Sequence, residues 1–92
     1  MAVGILFEIK GGTQAQYDAA VKRLKEIDLW PPKGRLYHAG GPTEDGVRVV
    51  DVWTSEADFE KFAAKMVPIA QAAGLPPFEP EFWPVEIISI GQ

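Results

Sequence analysis

The sequence predicts an α+β fold in which a four-stranded antiparallel sheet carries two helices on one face, in the order β-α-β-β-α-β. Three observations point to it. Strand-type runs occupy residues 2–10, 35–39, 47–53 and 81–90. Two stretches with helical spacing of apolar residues separate them, one after Thr13 and one after Ser55. Right-handed crossovers then put both helices on the same side of the sheet, the ferredoxin-like arrangement.

The first strand ends at Lys10-Gly11-Gly12. Thr13 is placed to cap the first helix, with Gln16 three residues on completing a capping box. Tyr17, Ala20, Val21, Leu24 and Ile27 form the apolar stripe, and Lys22, Arg23, Lys25 and Glu26 face water. Trp30-Pro31-Pro32-Lys33-Gly34 stops the helix, because consecutive prolines neither continue it nor donate to a sheet. A short strand, 35–39, is expected next. Residues 40–46, Gly-Gly-Pro-Thr-Glu-Asp-Gly, read as a polar turn into the β-branched run 47–53, so the two strands form a hairpin.

Ser55 is the second N-cap, with Asp58 at the capping-box position. Phe59, Phe62, Ala63, Met66, Ile69, Ala70 and Ala73 mark the buried stripe of the second helix, and Gly74 ends it. Pro68 removes one backbone hydrogen bond and is expected to bend or unwind the last turns. The last strand, 81–90, places Trp83, Val85 and Ile87 on one face and Phe82, Ile88 and Ile90 on the other.

Both faces of the outer runs are apolar. In the first, Val3, Ile5, Phe7 and Ile9 point one way while Ala2, Gly4 and Leu6 point the other. Two helices cover one face of a small sheet, so the other calls for a second copy of the chain. A domain of 92 residues buries only roughly 60–65% of its unfolded surface, which makes such an interface a substantial source of stability. One domain spanning residues 1–92 is expected, forming a homodimer.

Nine basic against 13 acidic residues, with pI near 4.8, give no positive field for a phosphate backbone, so nucleic acid is not an expected partner. With no cysteine and only His38 to offer an imidazole, neither a disulfide nor a metal site is expected. Met1-Ala2-Val3-Gly4 opens without a basic n-region, and no apolar run approaches the roughly 20 residues that span a bilayer. A cytoplasmic protein with no membrane partner is the expectation.

Residues 49–59, Val-Val-Asp-Val-Trp-Thr-Ser-Glu-Ala-Asp-Phe, carry a third strand through an acidic-x-Trp-x-Ser turn into a Phe-rich helix. In this the chain resembles the dimeric α/β-barrel superfamily, and within it the small antibiotic-biosynthesis-monooxygenase-like proteins. The resemblance implies a ligand between sheet and helices of one subunit, and activities such as cofactor-independent quinol oxygenation, haem degradation or polyketide cyclisation. The haem-degrading members use an Asn on the first strand and a His on the second helix; this chain has no asparagine and no histidine between Ser55 and Ala73, so haem chemistry of that type does not carry over. Of the Asn, Trp, Tyr and Arg described around the substrate of the cofactor-free oxygenases, Trp53 alone carries over by position.

Among individual residues, His38 is the side chain that titrates nearest neutrality and is the natural general acid or base. The alternative is a hydrogen-bonded sheet histidine without chemistry. If residue 40 pairs with 46, His38 lies opposite Arg48 and shares a face with Val50 and Val52; a shift of one residue puts it with Val49, Asp51 and Trp53. Asp51, set among valines on a central strand, needs a partner there. A His38–Asp51 pair would orient the imidazole as a base requires, while a plain structural ion pair with Arg35, Arg48, Tyr37 or His38 is the commoner outcome.

Trp53 and Trp83 are candidates for the walls of a flat cavity for aromatic ligands, with Tyr17 hydrogen-bonding a carbonyl or hydroxyl inside it. Tyr37 is a second candidate to stabilise an enolate. Arg48, Phe62 and Met66 complete the expected ligand-binding set, Phe62 and Met66 being core residues first. Trp30 could plug one end of the cavity or cover the dimer edge.

The expected function is a small enzyme or enzyme-like homodimer acting on a planar aromatic or polyketide-like molecule. As an oxygenase it would need no cofactor, because an electron-rich phenolate or enolate can reduce O2 directly. A polyketide cyclase using His38 as base, and a non-catalytic binding or dimerisation module whose cavity is filled by its own side chains, are the alternatives.

Overall fold

The computed structural model describes residues 1–86. Within them the chain forms β1 (Val3–Lys10), α1 (Gln14–Glu26), β2 (Arg35–Thr43), β3 (Gly46–Trp53), α2 (Glu56–Ala72) and β4 (Glu81–Pro84). The antiparallel sheet has the order β2-β3-β1-β4, which is the ferredoxin-like arrangement expected. Ile87, Ile88 and Ile90 of the expected last strand lie outside the described residues.

Alternation along β1 decides where the core sits. Ile5, Phe7 and Ile9 are buried beneath the helices, joined by Val47, Val49 and Trp53 from β3, which pairs with β1 from Val3↔Trp53 to Lys10↔Gly46. From α2, Phe59 and Ala70 enter this layer, with Phe62, Ala63, Met66, Ile69 and Ala73 packed against it. Ring contacts tie sheet to helix: Phe7 and Trp53 lie 5.7 and 5.5 Å from Phe59.

The helix ends follow from local chemistry. Thr13 and Gln16 form the complete capping box. At α2 only half of it forms, since Ser55 accepts from the Asp58 amide while the Asp58 carboxylate accepts from the Thr54 hydroxyl at 2.6 Å instead of reaching back to the Ser55 amide. These hydroxyl hydrogen bonds hold the Asp58 carboxyl below the usual range. α2 runs unbroken through Pro68, which faces solvent.

Both helices close with the same pair of backbone bonds. Leu29 N–H reaches Leu24 O and Asp28 N–H reaches Lys25 O; Leu75 N–H reaches Ala70 O and Gly74 N–H reaches Gln71 O. The left-handed residue is Gly74 (φ 90°) in one and Asp28 (φ 61°) in the other. An L-residue carries a steric cost there, and a carboxylate at a helix C-terminus opposes the dipole. Asp28→Gly is therefore expected to stabilise the protein by about 0.5–1 kcal/mol, seen as a higher urea midpoint at unchanged slope.

The hairpin differs from the expectation. β2 extends through Gly40, Gly41 and Pro42, and Glu44-Asp45 alone make the turn, with Thr43 paired to Gly46. Proline is tolerated because β2 is an edge strand, where a missing N–H costs no ladder bond. The pairing gives Gly40↔Val49 and His38↔Asp51, and one extra residue, Leu36, bulges between Arg35↔Trp53 and Tyr37↔Val52. A bulge resets the alternation, so Arg35 and His38, three residues apart, both face the helices.

Candidate functional site

The site lies where β2, β3 and α1 meet. His38 is directed inward by its register with Asp51, and Tyr17 sits on the inner stripe of α1, packed against the core. The three form one hydrogen-bonded line. The Tyr17 hydroxyl meets His38 Nε2, and His38 Nδ1 meets Asp51 Oδ1 at 2.5 Å. Trp53 Nε1–H donates to the other carboxylate oxygen, Asp51 Oδ2, at 3.0 Å.

Proton positions follow from this order. Trp53 is only a donor, so Asp51 accepts on that side, and as a carboxylate it accepts from His38 Nδ1–H on the other. A neutral imidazole then has its lone pair on Nε2, and Tyr17 O–H donates to it. The buried carboxylate, 4% exposed, thus has a donor on each oxygen, which answers the requirement set by its place among valines.

Burial pushes the Tyr17 phenol up to about 12; Arg35 pulls it down, while Asp51 and Asp18 push it up further. Tyr17 is therefore a phenol, not a standing phenolate, at neutral pH. Because the folded state favours the protonated form, its contribution to stability is complete below pH 10 and is lost as pH rises from 10 towards 12. A Tyr37→Phe variant, which leaves Tyr17 as the sole tyrosine, is expected to show its phenolate absorbance at a midpoint near 12. A midpoint at 10 or below would contradict the buried hydrogen-bonded phenol.

Tyr17, His38, Asp51 and Arg35 border a small, partly open cavity of about 60 Å3, whose remaining wall is apolar and includes Phe62 and Met66. Beside it runs an open groove of about 680 Å3 between α1 and the edge of β2, sharing Tyr17, Val21, Trp30 and His38 with the cavity. Trp30 stands at this division, at right angles to the His38 ring with 5.2 Å between centroids. The Arg35 guanidinium lies over the Trp30 ring, 4.1 Å from its centre.

Sequence reasoning did not single out Arg35 for the site, since its facing depends on the one-residue bulge at Leu36. Four expected ligand-binding residues lie elsewhere. Trp53 does not wall the cavity; fully buried, it packs between Phe59 and Phe62 and supports Asp51 from behind. Tyr37 and Arg48 face away from the helices, Tyr37 beside Val52 and Arg48 paired with Glu8 at 2.8 Å. Trp83 lies on that same outer face, its indole filling the space left by Gly4, where a Cβ would come within 2.3 Å of the ring. Its neighbour Phe82 lies on the helix side of the sheet, 5.8 Å from Phe59, though 40% exposed.

Among the described residues no group of three or more acidic or histidine side chains gathers to hold a metal ion, and no helix there is long and apolar enough to cross a membrane.

Neither a family model nor a curated protein matches the chain. Solved structures do. A protein assigned as an antibiotic biosynthesis monooxygenase from Chloroflexus aurantiacus superposes with a TM-score of 0.65 at 22% identity, over 99% of this chain and 100% of that one. The monooxygenase of the ActVA-Orf6 gene of Streptomyces coelicolor, solved with nanaomycin D, gives 0.59 at 16% identity over 99% and 92%. A dimeric ferredoxin-like protein of unknown function from Thermobifida fusca gives 0.59 at 15% over 92% of each chain. The chain has the fold of these monooxygenase-like proteins. At such identities the likeness is one of backbone, and the chemistry has to come from the side chains of this chain.

Proposed function

We propose that the protein is a homodimeric enzyme that removes a proton from a planar aromatic or polyketide-like molecule and lets the resulting anion react with O2 without a cofactor. The observation that carries the reading is the Tyr17–His38–Asp51 line opening on a cavity. A substrate hydroxyl donating to Tyr17 Oη would pass its proton on as Tyr17 gives its own to His38 Nε2. The imidazolium so formed lies against the Asp51 carboxylate. Since the Tyr17 phenol is held near 12, a stepwise route through a free phenolate is costly, and the two transfers proceed together. Oxygenation at an activated CH2 then balances without an added reductant: CH2 plus O2 gives C=O plus H2O, the substrate supplying the electrons.

The Streptomyces monooxygenase solved with nanaomycin D supports a small ligand for this fold, and the Thermobifida protein supports the dimer. The second copy would cover the outer sheet face, where Tyr37 and Trp83 are 44% and 41% exposed beside half-buried Leu6, Val50 and Val52. The single-domain and cytoplasmic readings belong to the same proposal.

The test is oxygen uptake on naphthols and anthrones. His38→Ala is expected to slow it by about 10²–10⁴-fold; equal rates would remove His38 from the mechanism. Product formed at the same rate without O2 would favour the cyclase, which needs only the proton transfer. Sedimentation of the same protein at micromolar concentration is expected to give a dimer.

A further inference from the structure

We propose that Arg35 is an anion-binding residue and that the ligand of this site is an aromatic hydroxy acid, its carboxylate on Arg35 and its hydroxyl on Tyr17. Arg35 is the only Lys or Arg side chain on the wall of the small cavity among the described residues. Its guanidinium makes none of the ion pairs or side-chain hydrogen bonds formed among them. The nearby carboxylate of Asp51 is already engaged on both oxygens, by His38 and Trp53. What Arg35 has is the face of Trp30, which holds the planar group in place without satisfying its N–H donors.

A partly desolvated guanidinium whose donors are unengaged among the described residues calls for a planar anion able to take two of them at once, and a carboxylate has that geometry. Burial also holds the Arg35 group below its ordinary value, with Asp51 and Tyr17 opposing the shift. The volumes agree with a divided ligand. The cavity, at about 60 Å3, suits a compact group such as a carboxylate better than a ring system. The adjoining groove of about 680 Å3 has room for rings and carries Lys22 and Lys25 with Asp18 along α1. Trp30 and His38 belong to both walls, so a ring lying in the groove against Trp30 would direct its substituents past them to Arg35 and Tyr17.

The inference deepens the function proposed above, and rests on it only for the fate of the hydroxyl proton. The experiment compares binding of 1-hydroxy-2-naphthoate, its methyl ester and 1-naphthol to the whole protein by tryptophan fluorescence and calorimetry. The acid is expected to bind at least tenfold more tightly than either neutral compound. Arg35→Met is expected to abolish that preference by weakening the acid alone, and Arg35→Lys to keep part of it. Equal affinities for acid and ester, or a preference that survives Arg35→Met, would overturn the proposal, as would a preference lost in Lys22→Met/Lys25→Met. Should Arg35→Met fail to fold, acid against ester on the unaltered protein decides, because esterification removes the charge and little else. Acid bound tightly but never oxidised would sink the oxygenase reading and leave the anion site standing. Naphthol oxidised without any preference for the acid would do the reverse.

Discussion

Asp51→Asn is expected to lower turnover by about 10²–10⁴-fold with little loss of stability, whereas Asp51→Ala should cost about 2–4 kcal/mol. The carboxylate meets two donors, His38 Nδ1–H and Trp53 Nε1–H. An amide keeps one acceptor and turns the other position into a donor. It can face its NH2 to Trp53, setting two donors against each other in a fully buried place, or to His38, which can answer by moving its proton from Nδ1 to Nε2. Indole has no such alternative, so the amide turns towards the histidine. Nε2–H then points at Tyr17, and the relay loses its acceptor. A comparable inversion is the known consequence of the Asp-to-Asn change in serine protease triads. Alanine instead leaves the indole and the imidazole each without a partner, at about 1–3 kcal/mol per group. Nitrogen-15 spectra of the imidazole ring check the argument independently of any substrate: Nδ1–H in the parent protein, Nε2–H in Asp51→Asn. The same tautomer in both would refute it.

How far this site could be read from sequence depends on which residue one asks about. The alternation of Val3, Ile5, Phe7 and Ile9 gave the core face of β1, and the Thr13/Gln16 box and Gly74 marked helix ends that the backbone bonds reproduce. Asp51 announced its need for a partner by its place among valines. The facing of His38 was not legible, because Gly40-Gly41-Pro42 has the composition of a turn and became strand only through the tolerance of an edge. Arg35 was less legible still. A bulge of one residue at Leu36 leaves no mark in composition, yet it decides whether the guanidinium meets the cavity or solvent.

Trp83 shows a different kind of loss. The pattern rightly put Phe82 and Trp83 on opposite faces of β4, but with both faces apolar it could not say which was the core. A signal was present one strand away. Gly4 sits opposite Trp83, and a glycine inside a strand leaves room on one face for a large neighbour to lie flat. Reading the two together would have sent Trp83 outward with Gly4 and left Phe82 for the helix side of the sheet.

Trp53→Ala is expected to destabilise the protein by about 3–5 kcal/mol, a large part of the roughly 5–15 kcal/mol that holds a domain together. The indole is wholly buried, packed at 5.5 Å from both Phe59 and Phe62, and paired across the sheet with Val3 and Arg35. Its removal opens a void under the site and strips Asp51 of a donor. Trp53→Phe separates the two effects, keeping most of the packing and losing the N–H, for about 1–2 kcal/mol. The informative variant combines it with Asp51→Asn. Once the indole N–H is gone, nothing forces the amide nitrogen towards His38, so the carbonyl oxygen can again accept from Nδ1–H and Nε2 can again receive from Tyr17. The double variant is therefore expected to turn over at least about tenfold faster than Asp51→Asn alone while being less stable than it, so that the second change restores rate and costs stability. Were the double variant no faster, the orientation of the imidazole would have to be set by something other than the competition between Trp53 and His38 for Asp51.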